Sequence, residues 1–128
     1  MLEEDMRRIL LIDDDKDIGD LLMKYSEQFN LNSIYINNGR EGREYIREHY
    51  DDLVGVISDE DMPCPHGMPE IKGHQVAEYA RAFNYTGPFM IYTGRKLKEF
   101  EQSRLEGLGI CYGSKPDVIP VIAFMKHL

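Results

Sequence analysis

The sequence predicts a doubly wound α/β domain, a five-stranded parallel sheet covered by helices on both faces, and three observations predict it. Short apolar runs recur along the chain with little polar alternation, as suits strands buried on both faces. Between them the apolar residues change to the helical spacing i, i+3, i+4, i+7. The links joining the two kinds of segment are short, which implies right-handed crossovers and a parallel sheet.

The first run, Arg8 to Ile12, is a strand ended by three aspartates. Ile18, Leu21, Leu22, Tyr25 and Phe29 then mark one face of a helix, with Asp15 or Asp17 available as its cap. Ser33 to Ile36 reads as the second strand, Glu41 to His49 as the second helix and Leu53 to Ser58 as a third, buried strand. Residues 62–73, MPCPHGMPEIKG, hold prolines and glycines that forbid regular structure and mark a long loop. Beyond it Val76, Ala77, Ala80 and Phe83 give a helix, Pro88 to Tyr92 a strand, Lys96 to Leu105 a helix and Ile110 to Tyr112 the last strand. A final helix follows, with Asp117 as its expected cap and Pro120 in its first turn, where a missing amide donor costs little.

A chain of 128 residues is the size of one ordinary domain, so residues 1–128 are expected to form a single unit that buries roughly two-thirds of its unfolded surface. No apolar run approaches the ~20 residues needed to cross a bilayer. The first residues, MLEEDMRR, lack the pattern of a signal peptide, and a cytoplasmic location is expected. Cys64 and Cys111 have no paired metal-ligand spacing and read as reduced thiols. With 23 acidic and 15 basic side chains the net charge is -8. That balance repels nucleic acid and anionic lipid, and it suits a site that holds a divalent cation.

In doubly wound sheets ligands bind beyond the carboxyl ends of the strands. The residues leaving those ends are Asp13, Asp14 and Asp15, then Asp59, Glu60 and Asp61, then Thr93, and finally Lys115. Crowded carboxylates call for a cation, and an all-oxygen donor set suits magnesium. An anionic phosphoryl group joining them needs a metal, an ammonium and a hydroxyl around its oxygens, and those residue types are all present. Taken singly, each has a plainer reading: a turn aspartate, a strand-end threonine, a solvated lysine. Their occurrence together and in order gives the pattern its specificity.

Over essentially its whole length the sequence resembles the receiver domain of two-component response regulators, a flavodoxin-like fold. The stretches that carry the resemblance are ILLIDDDKD at 9–17, VISDEDMP at 56–63, MIYTG at 90–94 and CYGSKP at 111–116. The resemblance implies that Asp59, which precedes Met62-Pro63, accepts a phosphoryl group from a sensor histidine kinase or a histidine phosphotransfer protein. It implies Mg2+ held by Asp13, Asp14, Asp59 and the backbone carbonyl of Asp61. It assigns Thr93 and Lys115 to the phosphoryl oxygens and Tyr112 to an aromatic switch that signals to a downstream target or output domain. Such a protein is a signalling module rather than a turnover enzyme, and it binds neither nucleic acid nor membrane directly.

Two departures stand out. The loop between Pro63 and Gly73 is longer by about six residues than the family usually has. Glu60 and Asp61 add two acids directly after Asp59. Asp61 takes the position that influences how fast water removes the phosphoryl group, and with Arg95, two residues past Thr93, it is expected to form an ion pair at the site mouth. Two rival readings are a degenerate receiver that no longer accepts phosphate and a haloacid-dehalogenase-type hydrolase, in which a second acid follows the nucleophile by two residues, as Asp61 does. The chain length and the position of Asp59 on the third strand speak against the hydrolase. A soft-metal site from Cys64, His66 and His74 lacks a fourth ligand. Tyr79, Tyr85 and Tyr92 are expected to border a core.

Overall fold

A computed structural model describes residues 7–64 and 67–128. Its elements alternate as β1 (Arg7–Ile12), α1 (Lys16–Gln28), β2 (Leu31–Ile36), α2 (Gly39–His49), β3 (Leu53–Ser58), α3 (Gly73–Ala82), β4 (Phe89–Thr93), α4 (Glu99–Gly107), β5 (Cys111–Ser114) and α5 (Ile119–Lys126). The opening residues MLEEDM, and His66 of the long loop, lie outside the described residues.

The sheet is parallel, with strand order β2-β1-β3-β4-β5. The order in which the chain adds strands reverses between β1 and β3, which opens a crevice at their carboxyl ends. Within each buried strand successive side chains enter opposite layers. Leu10 and Ile12 of β1 and Phe89 and Ile91 of β4 pack with Ile46, Val76, Ala77 and Leu105 of α2, α3 and α4. Their neighbours Ile9, Leu11, Met90 and Tyr92 pack with Leu22, Val121 and Met125 of α1 and α5. Each fully buried aliphatic side chain contributes ~1.5–3 kcal/mol, so the continuous apolar runs of β1, β3 and β4 hold both layers against one sheet.

Helix ends follow local chemistry. Asp15, of the two candidate caps, accepts the amides of Asp17 and Ile18. Asn38 caps α2 through the Glu41 amide, so that helix begins two residues before the expected Glu41. Asn30, Asn84 and Gly109 take positive φ just after α1, α3 and α4, the left-handed position that closes a helix and that asparagine and glycine tolerate.

The structure differs from expectation in further places, among them β2, which begins at Leu31 rather than Ser33. α4 begins at Glu99 rather than Lys96, because Glu101 turns back to accept the Lys98 amide and sets the first turn there. The residue at the cap of α5 is Val118, although Asp117 Oδ1 still accepts the Ile119 amide at 3.1 Å. Tyr85 and Tyr92 are buried as expected, but Tyr79 is exposed and stacked on Phe83. No helix among the described residues is long and apolar enough to cross a membrane.

Candidate functional site at the carboxyl ends of the strands

Register brings the site together. Ile12 pairs with Ser58, and Ser58 with Ile91, so the residues just past β1 and β3 emerge side by side. The Asp59 amide donates to the Ile12 carbonyl at 2.8 Å, fixing Asp59 beside Asp13. Asp13 is further held by Tyr35, whose hydroxyl donates to its carbonyl, and by the Asp15 amide, which donates to its Oδ1.

Lys115 reaches in from the end of β5. Its backbone amide donates to the Thr93 carbonyl, and its Nζ lies 2.8 Å from Asp13 Oδ2 and 3.3 Å from Asp59 Oδ2. One ammonium thus bridges two carboxylates of which Asp13 is 1% and Asp59 7% exposed. Burial and the neighbouring Asp13 charge push the Asp59 carboxyl up to about 6, against the pull of Lys115. Asp13 is also raised by burial, with Lys115 opposing. Burial works against the Lys115 charge as well, yet its contacts with the two aspartates prevail and raise its pKa.

Carboxylate oxygens of Asp13, Asp14 and Asp59 lie within 4.8 Å of one another, Asp14 exposed and the other two buried. Three carboxylates facing one ammonium leave negative charge uncompensated. The donors are all oxygen, so the residues present fit a hard, small divalent cation that retains water ligands.

Thr93 is buried at the end of β4 and accepts the Arg95 amide on its Oγ1 at 3.3 Å. Arg95 spreads over the site mouth: its Nε is 3.0 Å from Asp61 Oδ2, its Nη2 3.3 Å from Glu60 Oε2, and its Nη1 and Nη2 grip Glu101 of α4 in a bidentate pair. Asp61 also takes Lys72 at 2.8 Å. The Lys72 and Arg95 hydrogen bonds hold its carboxyl below the ordinary range, Lys72 being the stronger cause. Tyr112 stands apart on β5, 38% exposed, and its hydroxyl is not left to water: it bonds Gln102 Oε1 of α4 at 2.9 Å.

Several of these partners were illegible in the sequence. Lys72 sits in the long loop and Gln102 has no motif around it. Glu60 was visible only as an extra acid, yet it is buried and bonded to the amide and ring of His74 in the first turn of α3. With Nδ1 of His74 so engaged, the soft-metal grouping is further weakened. Cys64 and Cys111 are free thiols.

No family model and no curated relative matches this chain by sequence. Solved structures match it by shape. A CheY-like response regulator receiver domain protein from Methanospirillum hungatei has a TM-score of 0.79 at 19% identity, over 95% of this chain and 92% of that one. The receiver domain of HemR from Leptospira biflexa gives 0.75 at 23% identity, over 94% and 91%. CheY from Borrelia burgdorferi, in a structure of a CheX-CheY-BeF3-Mg complex, gives 0.79 at 18% identity, over 94% and 87%. With the strand order and the ten alternating elements of its described residues, and with these neighbours, the chain has the fold of the response-regulator receiver domains.

Proposed function

We propose that this chain, residues 1–128 as one unit, is a receiver that takes a phosphoryl group on Asp59 from a phosphohistidine of a sensor kinase or phosphotransfer protein, and that the phosphoryl group switches its binding to a downstream target. The observation that carries this reading is the bridge of Lys115 Nζ to Asp13 and Asp59 at 2.8 and 3.3 Å, beside a three-carboxylate cluster. An Asp59 oxygen attacks phosphorus, the P–N bond to the donor imidazole breaks, and the imidazole leaves with its electron pair and takes up a proton. Asp13, Asp14, Asp59 and the Asp61 carbonyl would hold Mg2+, which would supply charge neutralisation for the transferring group. Lys115 supplies an ammonium and Thr93 a hydroxyl donor to the phosphoryl oxygens. Water later attacks phosphorus and returns the Asp59 carboxylate. Free cysteines support a cytoplasmic setting.

Two features favour this reading over its rivals. The acid pair, Asp59, Thr93 and Lys115 form a complete set, unlike a degenerate receiver. Asp61 is held by Lys72 at 2.8 Å and Arg95 at 3.0 Å, and these cations hold its carboxyl below the ordinary range, a setting that disfavours the proton donor a dehalogenase-type hydrolase asks of its second acid. Incubation with acetyl phosphate and magnesium, read by intact mass, tests the proposal: one phosphoryl group is expected on the wild type and none on Asp59→Asn. Equal labelling of that variant overturns it, and rapid turnover of small phosphomonoesters favours the hydrolase.

A further inference from the structure

The acid that follows Asp59 is the least explained residue of the site. Glu60 is 1% exposed, and buried carboxylates persist only when paired and hydrogen-bonded. Its Oε1 accepts the His74 amide at 2.8 Å, while Oε2 lies 2.6 Å from His74 Nδ1 and 3.3 Å from Arg95 Nη2. The Glu60 carbonyl in turn accepts the Gly73 amide at 2.9 Å. Glu60 is therefore fixed to the first turn of α3 through main chain and side chain together.

That fixed carboxylate meets Arg95 from beneath. Arg95 offers its remaining donors to Asp61 on one side and to Glu101 on the other. Glu101 makes a bidentate pair, the stronger geometry, and pulls the guanidinium toward α4 against the single Asp61 contact. Glu60 adds a second contact on the Asp61 side. A planar fork held at three points has little freedom to leave the Asp61 side of the site mouth.

We propose that Glu60 is a positioning residue for the chemistry at Asp59: anchored by His74, it holds the Arg95 guanidinium against Asp61 and so sets how readily water reaches the phosphoryl group. The inference rests on the reading of Asp59 as a phosphoacceptor. It assigns the control of lifetime to a buried residue that never touches the phosphoryl group, in addition to the ion pair at the mouth.

Two measurements test it on the whole chain. In the unphosphorylated protein, the Arg95 Nε–H signal is followed by NMR in the wild type, Glu60→Gln and His74→Ala. The signal is expected to be protected from exchange in the wild type and to lose that protection in both variants, while the fold, read from core amide shifts, is retained. Decay of the phosphorylated form is then measured for Glu60→Gln, Arg95→Gln and the double variant. Each single variant is expected to decay at least about threefold faster, and the double variant no faster than the singles, because two groups acting through one contact are not additive. Unchanged Arg95 protection in Glu60→Gln, or additive effects on decay, overturns the proposal. A wild type that takes no phosphoryl group while the NMR result holds places the failure in the functional reading instead.

Discussion

Arg95 Nε lies 3.0 Å from Asp61 Oδ2, and Lys72 Nζ closes on the other Asp61 oxygen at 2.8 Å, so the acid two residues past Asp59 is held from both sides of the site mouth. The Asp61 and Arg95 side chains are 42% and 37% exposed, and solvent screens such pairs to ~0.2–1 kcal/mol. Their effect is steric ordering more than stability. If the pair obstructs attacking water, Asp61→Ala and Arg95→Ala are expected to speed decay of the phosphoprotein by about two- to fivefold. Decay rates unchanged in both variants sink the idea.

Glu101 offers a pH-dependent counterpart. Its hydrogen bonds to Arg95, then to the Lys98 amide, lower its carboxyl from 4.5 to about 2. A carboxyl depressed by folding stabilises the native state above its unfolded pKa and ceases to do so as pH falls through the folded one. The contribution is thus complete above pH 4.5 and gone near pH 2. Because Arg95 is partly exposed, screening reduces it to about 1 kcal/mol. Urea unfolding of wild type and Glu101→Gln is expected to differ by that amount at pH 7, with the gap closing on acidification. A gap that persists undiminished at pH 2.5 contradicts this.

Gly73 gives a steric test of how α3 is tied to Asp59. A methyl group there would collide with the Asp59 carbonyl, a backbone atom that cannot step aside cheaply. Gly73→Ala is expected to destabilise the fold by about 1–3 kcal/mol and to impair labelling of Asp59. Gly107, at the end of α4, has nothing near the added carbon, and Gly107→Ala is expected to be neutral or to stabilise by up to about 1 kcal/mol. Thermal melts of the two variants decide it, and equal melting temperatures refute the argument.

Most of the fold was readable because periodicity tracks burial. The runs Arg8–Ile12 and Leu53–Ser58 have no polar face, and only a strand covered on both sides tolerates that. Asp13, Asp59, Thr93 and Lys115 were readable because chain order places them at neighbouring strand ends, where parallel register aligns them. Boundaries moved where a side chain chose its own donor, as Asn38 did for α2 and Glu101 for α4. Contacts between separate segments left no local trace. The Lys72–Asp61 pair and the Tyr112–Gln102 bond each depend on two segments meeting in space, and neither partner carries a spacing that announces the other.

If the output surface is the face built from α4, β5 and α5, the Tyr112–Gln102 bond makes the route to it testable. If Asp59 takes the phosphoryl group, about two added negative charges and strong acceptor oxygens would draw the Thr93 hydroxyl inward. That would vacate space beside β4, and the Tyr112 ring could turn into it only by releasing Gln102. An intramolecular hydrogen bond is worth ~0.5–1.5 kcal/mol, and this half-exposed one belongs at the lower end. Phosphate biases the two ring positions by the difference in their contact energies and by nothing else. Removing the outward tether should therefore favour the inward state about twofold. In Gln102→Ala, beryllium fluoride is expected to shift the amides of residues 95–126 at lower concentration than in the wild type, while Thr93→Ala should leave them still. Changes confined to the loops around Asp59 in every variant would reject the switch, and the chain would then be a phosphate carrier with no output through Tyr112.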